Sequence, residues 1–263
     1  MKRAILILSA ALLTACVGAG PSREPGAAVP VSEQTTNPND ILQKSAKTHT
    51  ELGTLYMQAG NMAVAMEEAR MATMIDPGYA PGFSLMGLGH MMLNEMPLAR
   101  QAFERAIQLA PGDPQIANDY GWFLCQNGQE RDAMKYLESA ARNPLYKTPT
   151  RPYANMGLCY LRLKDEKNAE ANFQRAVMLD SANVQAIYHL ASLAYGRGDY
   201  ASARKRLGEL HRLMDPNAES LWLGIRIERK AGDRQAEADY AAQLRRKFAN
   251  SPEYQALQEG KYE

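Results

Sequence analysis

The sequence predicts an all-α fold, a right-handed superhelical solenoid of six helix-turn-helix repeats closed by a short C-terminal capping helix. Three observations predict it. From residue 46 onward one pattern returns about every 34 residues. Three columns of small residues and one of glycine recur at fixed places within the windows. A proline follows the second apolar segment of four windows, at Pro77, Pro111, Pro144 and Pro216.

The windows are residues 46–79, 80–113, 114–149, 150–183, 184–217 and 218–251, with a cap at 252–263; the fourth starts two residues late. Position 8 reads Gly53, Gly87, Gly121, Gly157, Ala191 and Ile225. Position 20 reads Ala65, Ala99, Ala133, Ala169 and Ala203, then Glu237. Position 27 reads Ala72, Ala106, Ala140, Ala176, Leu210 and Leu244. Position 15 is Gly60, Gly128, Gly198 and Gly232 in four windows. Position 8 on a first helix is expected to face position 20 on the second, so small residues let the helices approach. Glycine at position 15 suits a turn that other residues resist. The closing proline stops the second helix, because it lacks an N–H and clashes with the preceding turn. Leu52, Tyr56, Phe83, Met86, Phe103, Tyr120, Tyr153 and Phe173 are expected to fill the space between helices. This period and these columns match the tetratricopeptide repeat. Ser251-Pro252-Glu253 reads as the N-cap of the final helix.

The array occupies residues 41–263, and what precedes it cannot build a core. Lys2-Arg3 is followed by about ten apolar residues, too few for a membrane span of roughly 20. The pattern fits an export signal over residues 1–15 that ends Leu13-Thr14-Ala15 before Cys16. That ending resembles the bacterial lipobox, which makes Cys16 the lipidated residue of the mature chain. Val17 in place of aspartate resembles the pattern of lipoproteins released to the outer membrane. Residues 16–40 hold Pro21, Pro25, Pro30 and Pro38 with almost no large apolar residue. They read as a tether with a typical reach of roughly 25–29 Å.

Composition narrows the functional classes. The 263 residues carry 30 Lys+Arg and 29 Asp+Glu, with 46% hydrophobic residues. Removing Lys2 and Arg3 leaves 28 basic against 29 acidic groups, a net −1. A near-neutral chain lacks the cationic excess that phosphate backbones demand, so no nucleic-acid partner is expected. No Ser/His/Asp set, nucleophile elbow or phosphate loop is present, so no catalytic residue is assigned and no enzyme is expected. His49, His90, His189 and His211 are dispersed without metal-ligand spacing, and no metal, small-molecule substrate or cofactor is implied beyond the acyl groups on Cys16. His49 and His90 occupy repeat core positions; Glu67-Glu68 and Asp165-Glu166 read as solvated faces. The cysteines at 125 and 159 lie midway along adjacent first helices. They are either a disulfide between repeats three and four or two buried thiols.

A surface is what such a solenoid usually offers. First helices line the concave groove at positions 2, 5, 9, 12 and 13. Met57, Leu88, Met91, Met92, Trp122, Leu158 and Leu161 make its first four repeats apolar. Tyr188, Tyr195 and Trp222 follow, with Arg162, Arg226, Arg229 and Lys230. Trp and Tyr are typical interface anchors, and Met adapts to varied partners. The stripe either takes a protein partner, packs between superhelical turns, or is filled by the chain's own tail. Lys47 and Asn118 fall in different repeats, so a carboxylate clamp of the chaperone-binding kind is not formed.

The lipobox, short tether and six repeats resemble the type IV pilus biogenesis and stability lipoproteins, the PilF/PilW group of secretin pilotins. The central stretch resembles them more specifically: Tyr120-Gly121-Trp122-Phe123-Leu124-Cys125, Asn143-Pro144-Leu145-Tyr146 and Asn155-Met156-Gly157-Leu158-Cys159. The cysteine pair falls at the same two places. The resemblance implies a monomeric, outer-membrane-anchored adaptor facing the periplasm. It would bring subunits of the pilus secretin to the membrane and promote their multimerisation, on which twitching motility depends. A scaffold for another envelope machine, such as cell-wall synthesis or outer-membrane protein assembly, is the alternative the residues permit.

Overall fold

The computed structural model describes residues 37–262. Cys16, the export signal and most of the tether lie outside the described residues. Among those described, thirteen helices and no strands occur. Six first helices span Pro38–Gln58 (α1), Ala80–Met92 (α3), Pro114–Gln126 (α5), Thr150–Arg162 (α7), Val184–Gly196 (α9) and Ala218–Ala231 (α11). Their second helices span Met62–Ile75 (α2), Met96–Leu109 (α4), Glu130–Arg142 (α6), Glu166–Leu179 (α8), Tyr200–Leu213 (α10) and Arg234–Lys247 (α12). Pro252–Gln258 (α13) closes the array.

Five of the six expected repeat starts coincide with helix starts. The exception is the first. α1 begins at Pro38, capped by the Asn37 side chain, which accepts from the Asn39 N–H. Residues 38–40 therefore open a helix rather than end the tether, because Asn-Pro supplies both cap and first turn. Similar chemistry starts other helices. The Asp113 carboxylate accepts from the N–H groups of Gln115 and Ile116 ahead of α5, and Asn217 and Ser220 form a capping box on α11. Each proline of the closing column lies just past the end of a second helix.

Each first helix packs on its own second helix and on the neighbouring first helices, and each second helix also packs on the first helix that follows it. The alanines at positions 20 and 27 are wholly buried in these seams. Position 8 faces more than position 20. A Cβ on Gly87 would lie 2.8 Å from the Phe103 ring, and one on Gly121 would lie 2.8 Å from Leu137. Glycine at 8 thus makes room for the bulky residue at position 24, with the position-20 backbone behind it: a Cβ on Gly121 would also stand 3.2 Å from the Ala133 carbonyl.

Phe103, Tyr120 and Phe173 are buried as expected, while Phe83, Met86 and Tyr153 are only half-buried. Leu52 departs from expectation. It is 37% exposed, because among the described residues no repeat stacks before the first one. Tyr56 is half-buried for the same reason.

Repeats three and four are joined twice. Cys125 on α5 and Cys159 on α7 form a disulfide with their Cα atoms 5.7 Å apart. The two-residue insertion before α7 also turns Tyr146 inward, where it packs on Ala117 and Ala140 and donates to the Gln115 side chain at 3.3 Å.

The four histidines pair or stack rather than cluster. His49 Nδ1 lies 2.6 Å from Glu68, and His90 Nδ1 2.7 Å from Glu95. Glu68 is accordingly not a solvated residue; only its neighbour Glu67 is, bonded to Arg70. Asp165 caps α8 through the Asn168 N–H.

Candidate functional site

First helices of a stacked array place positions 9, 12 and 13 along one concave line. Met57 of α1, Leu88, Met91 and Met92 of α3, and Trp122 of α5 converge there on one cavity of about 300 Å³. Leu88, Met91 and Trp122 lean on the central core, while Met92 is 57% exposed. These five of the expected groove residues form one apolar lip.

The opposite wall is polar. Gln115 Nε2 donates to Asp119 at 2.9 Å, and Asn118 Nδ2 donates to it at 3.1 Å. Asn155 on α7 donates to Asn118 at 3.0 Å, tying two repeats together. Burial pushes the Asp119 carboxyl above the usual carboxylate range, against the opposing hydrogen bonds and the charge of Arg151. Arg151, Asn155 and Gln185 carry this polar surface along the cavity. Asn118 and Arg151 were legible as residues at positions 5 and 2. Asp119 and Asn155 at position 6 were not, because only the stacking of α3, α5 and α7 brings that position to the groove. The cavity can therefore hold an amphipathic segment, with apolar side chains against the methionines and backbone polar groups against the amides.

The other expected groove residues go elsewhere. Leu158 and Leu161 are half-buried and pack on the cluster of repeats four and five. Tyr188 packs on the core of repeats five and six, edge-on to His189. Arg162 reaches back to Glu130 at 3.0 Å across the repeat junction. Trp222 is a correction. It is 9% exposed and stacks on Tyr262 with ring centroids 5.5 Å apart. The chain's own C-terminal segment covers it, so it is unavailable as a groove anchor. Tyr195 opens onto a separate cavity at that end of the array.

Among the described residues no group of three His, Cys, Asp or Glu side chains is placed to hold a metal ion. None of the described helices is long and apolar enough to cross a membrane.

The tetratricopeptide-repeat family model matches residues 150–183, the window that opens at α7. The type IV pilus assembly protein PilF of Pseudomonas aeruginosa is 28% identical over 259 residues, covering 98% of both chains. The chain is homologous to PilF. Solved structures agree. That of PilW, a widely conserved type IV pilus biogenesis factor, superposes with a TM-score of 0.74 at 26% identity, over 81% of this chain and 98% of that one. A PilF structure from P. aeruginosa superposes with a TM-score of 0.73 at 28% identity, over 83% of this chain and 99% of that one. The chain is thus an all-α superhelix, similar along its length to proteins of type IV pilus biogenesis. Its groove lies on a scaffold that matches PilF and PilW nearly end to end.

Proposed function

We propose that this PilF homologue is a lipid-anchored adaptor, a pilotin that directs pilus secretin subunits to the outer membrane and promotes their multimerisation. The observation that carries the reading is similarity to PilF along the full length of both chains, signal and tether included. The lipobox at Cys16 supports outer-membrane anchoring on the periplasmic side. Acyl chains supply membrane affinity of roughly 0.8 kcal/mol per buried methylene. The apolar lip of Met57, Leu88, Met91, Met92 and Trp122 supports capture of a protein segment rather than turnover of a small molecule. Anchoring the adaptor concentrates captured subunits at one surface, which favours their assembly.

A deletion strain tests this. Loss of secretin multimers and twitching with cell shape intact is the expected result, restored by the wild-type chain but not by Cys16→Ser. Normal secretin multimers in the deletion strain, or full rescue by the unlipidated variant, would sink the reading.

A further inference from the structure

The C-terminal end of the groove carries a different chemistry from its apolar half. A cavity of about 720 Å³ opens between repeats five and six and the final segment. Its walls are Tyr195 and Tyr262, and four cations line it: Arg226, Arg229, Lys230 and Lys261. Two of these are paired. Arg229 donates to Glu237 at 2.9 Å, and Lys261 lies 2.6 Å from Glu259. Arg226 and Lys230 have no carboxylate within 4.0 Å among the described residues. Arg226 also lies against two aromatic rings. Its guanidinium lies 5.0 Å from the Tyr195 ring centroid and 6.0 Å from that of Trp222. Its Nε is a buried side-chain nitrogen without a hydrogen-bond partner, singular among the described residues.

A buried donor without an acceptor is costly, and native proteins rarely keep one without a use. Here the guanidinium lies over the Tyr195 ring, accompanied by a second cation that is unpaired among the described residues, in a near-neutral chain. We infer that this cavity binds a carboxylate of an acidic peptide segment, with Arg226 as the fixed donor and Lys230 as the supporting charge. A planar carboxylate matches the fork of a stacked arginine, and the tyrosine walls accept apolar residues beside it. Arg226, Arg229 and Lys230 hold positions 9, 12 and 13 of repeat six, the positions that Leu88, Met91 and Met92 hold in repeat two. An extended peptide is what a line of such positions fits. The site is separate from the apolar lip, and a chain that captured no secretin would still carry it.

The test is fluorescence anisotropy on the full chain in detergent. The probe is a labelled dodecapeptide of alternating glutamate and leucine, compared with its glutamine analogue and its C-terminal amide. The acidic peptide is expected to bind at least about tenfold tighter than the glutamine analogue, with affinity falling as salt rises. Arg226→Gln should weaken it about tenfold and Lys230→Gln about threefold, while circular dichroism melts of Lys230→Gln stay unchanged. Amidation that removes binding would identify a chain-terminal carboxylate; amidation without effect would identify side-chain carboxylates. Equal binding of acidic and glutamine peptides overturns the inference. So does unchanged affinity in both variants, or Arg226-dependent binding to phosphatidylglycerol vesicles without peptide binding.

Discussion

At the scale of single residues, the turn inside each repeat shows what backbone conformation demands. Gly60, Gly128, Gly198 and Gly232 all take φ between 76° and 81°. Asn94 and Lys164 hold the same position 15 with φ of 60°. The glycine column marked four turns in the sequence; the other two adopt the same left-handed geometry because the helix pair on each side requires it. His189 is a second residue whose surroundings decide its chemistry. It stacks on Phe173 at 4.9 Å, and desolvation there lowers its pKa from 6.5 to about 4. The unfolded chain therefore binds a proton between those values while the folded chain does not. Stability is full above the unfolded value and is lost as pH falls through that window. About 2 kcal/mol should disappear from this group between about pH 7 and pH 5. His211, also lowered by burial, acts in the same direction. Urea titrations of the parent and His189→Phe at both pH values check this; an equal pH dependence in the two would refute it.

At the scale of elements, helix boundaries were the most legible feature. Their signals are local: Asp113-Pro114, Asn217 with Ser220, and a proline just past each of four second helices. The pairing of helices was legible only in outline. Glycine at position 8 pointed to close approach, but the partner proved to be the Phe103 or Leu137 side chain at position 24. A column of mixed Phe and Leu gives no compositional signature, whereas a column of alanine does. The disulfide belongs to this scale because it joins α5 to α7 across a sequence separation of 34. Closing a loop of that length contributes about 3–4 kcal/mol in the chain-entropy account. Replacing Cys125 and Cys159 together by alanine should reduce unfolding free energy by that order. A loss under about 1 kcal/mol in urea titration would show that Tyr146 and the Asn118–Asn155 bond hold the junction without it.

At the scale of the whole array, the two ends differ. Toward the N-terminus no other part of the described residues covers the apolar lip. At the C-terminus α13 and Tyr262 fold over Trp222, and Arg229 lies 3.9 Å from the Tyr262 ring centroid. Stability in a solenoid passes between neighbours, so a cap acts most strongly on the repeat it covers. Deleting residues 252–263 uncovers Trp222 and its neighbours and should cost about 2–4 kcal/mol. Hydrogen exchange should then accelerate in α11 and α12 while α3 to α6 keep their protection. Uniform acceleration along the chain would contradict nearest-neighbour coupling.

By itself the sequence determined the repeat period, the helix starts from Ala80 onward, the turn glycines and the small-residue seams, because each depends on neighbours within one window. It also placed Met57, Leu88, Met91, Met92 and Trp122 on one face, since position along a helix sets direction. Only the tertiary structure decided that Trp222 is covered, that Asp119 lies buried beneath the groove, and that Arg226 lies over the Tyr195 and Trp222 rings with no acceptor for its Nε among the described residues. Those outcomes depend on how separate windows and the final segment come together, and no local pattern encodes contacts between them.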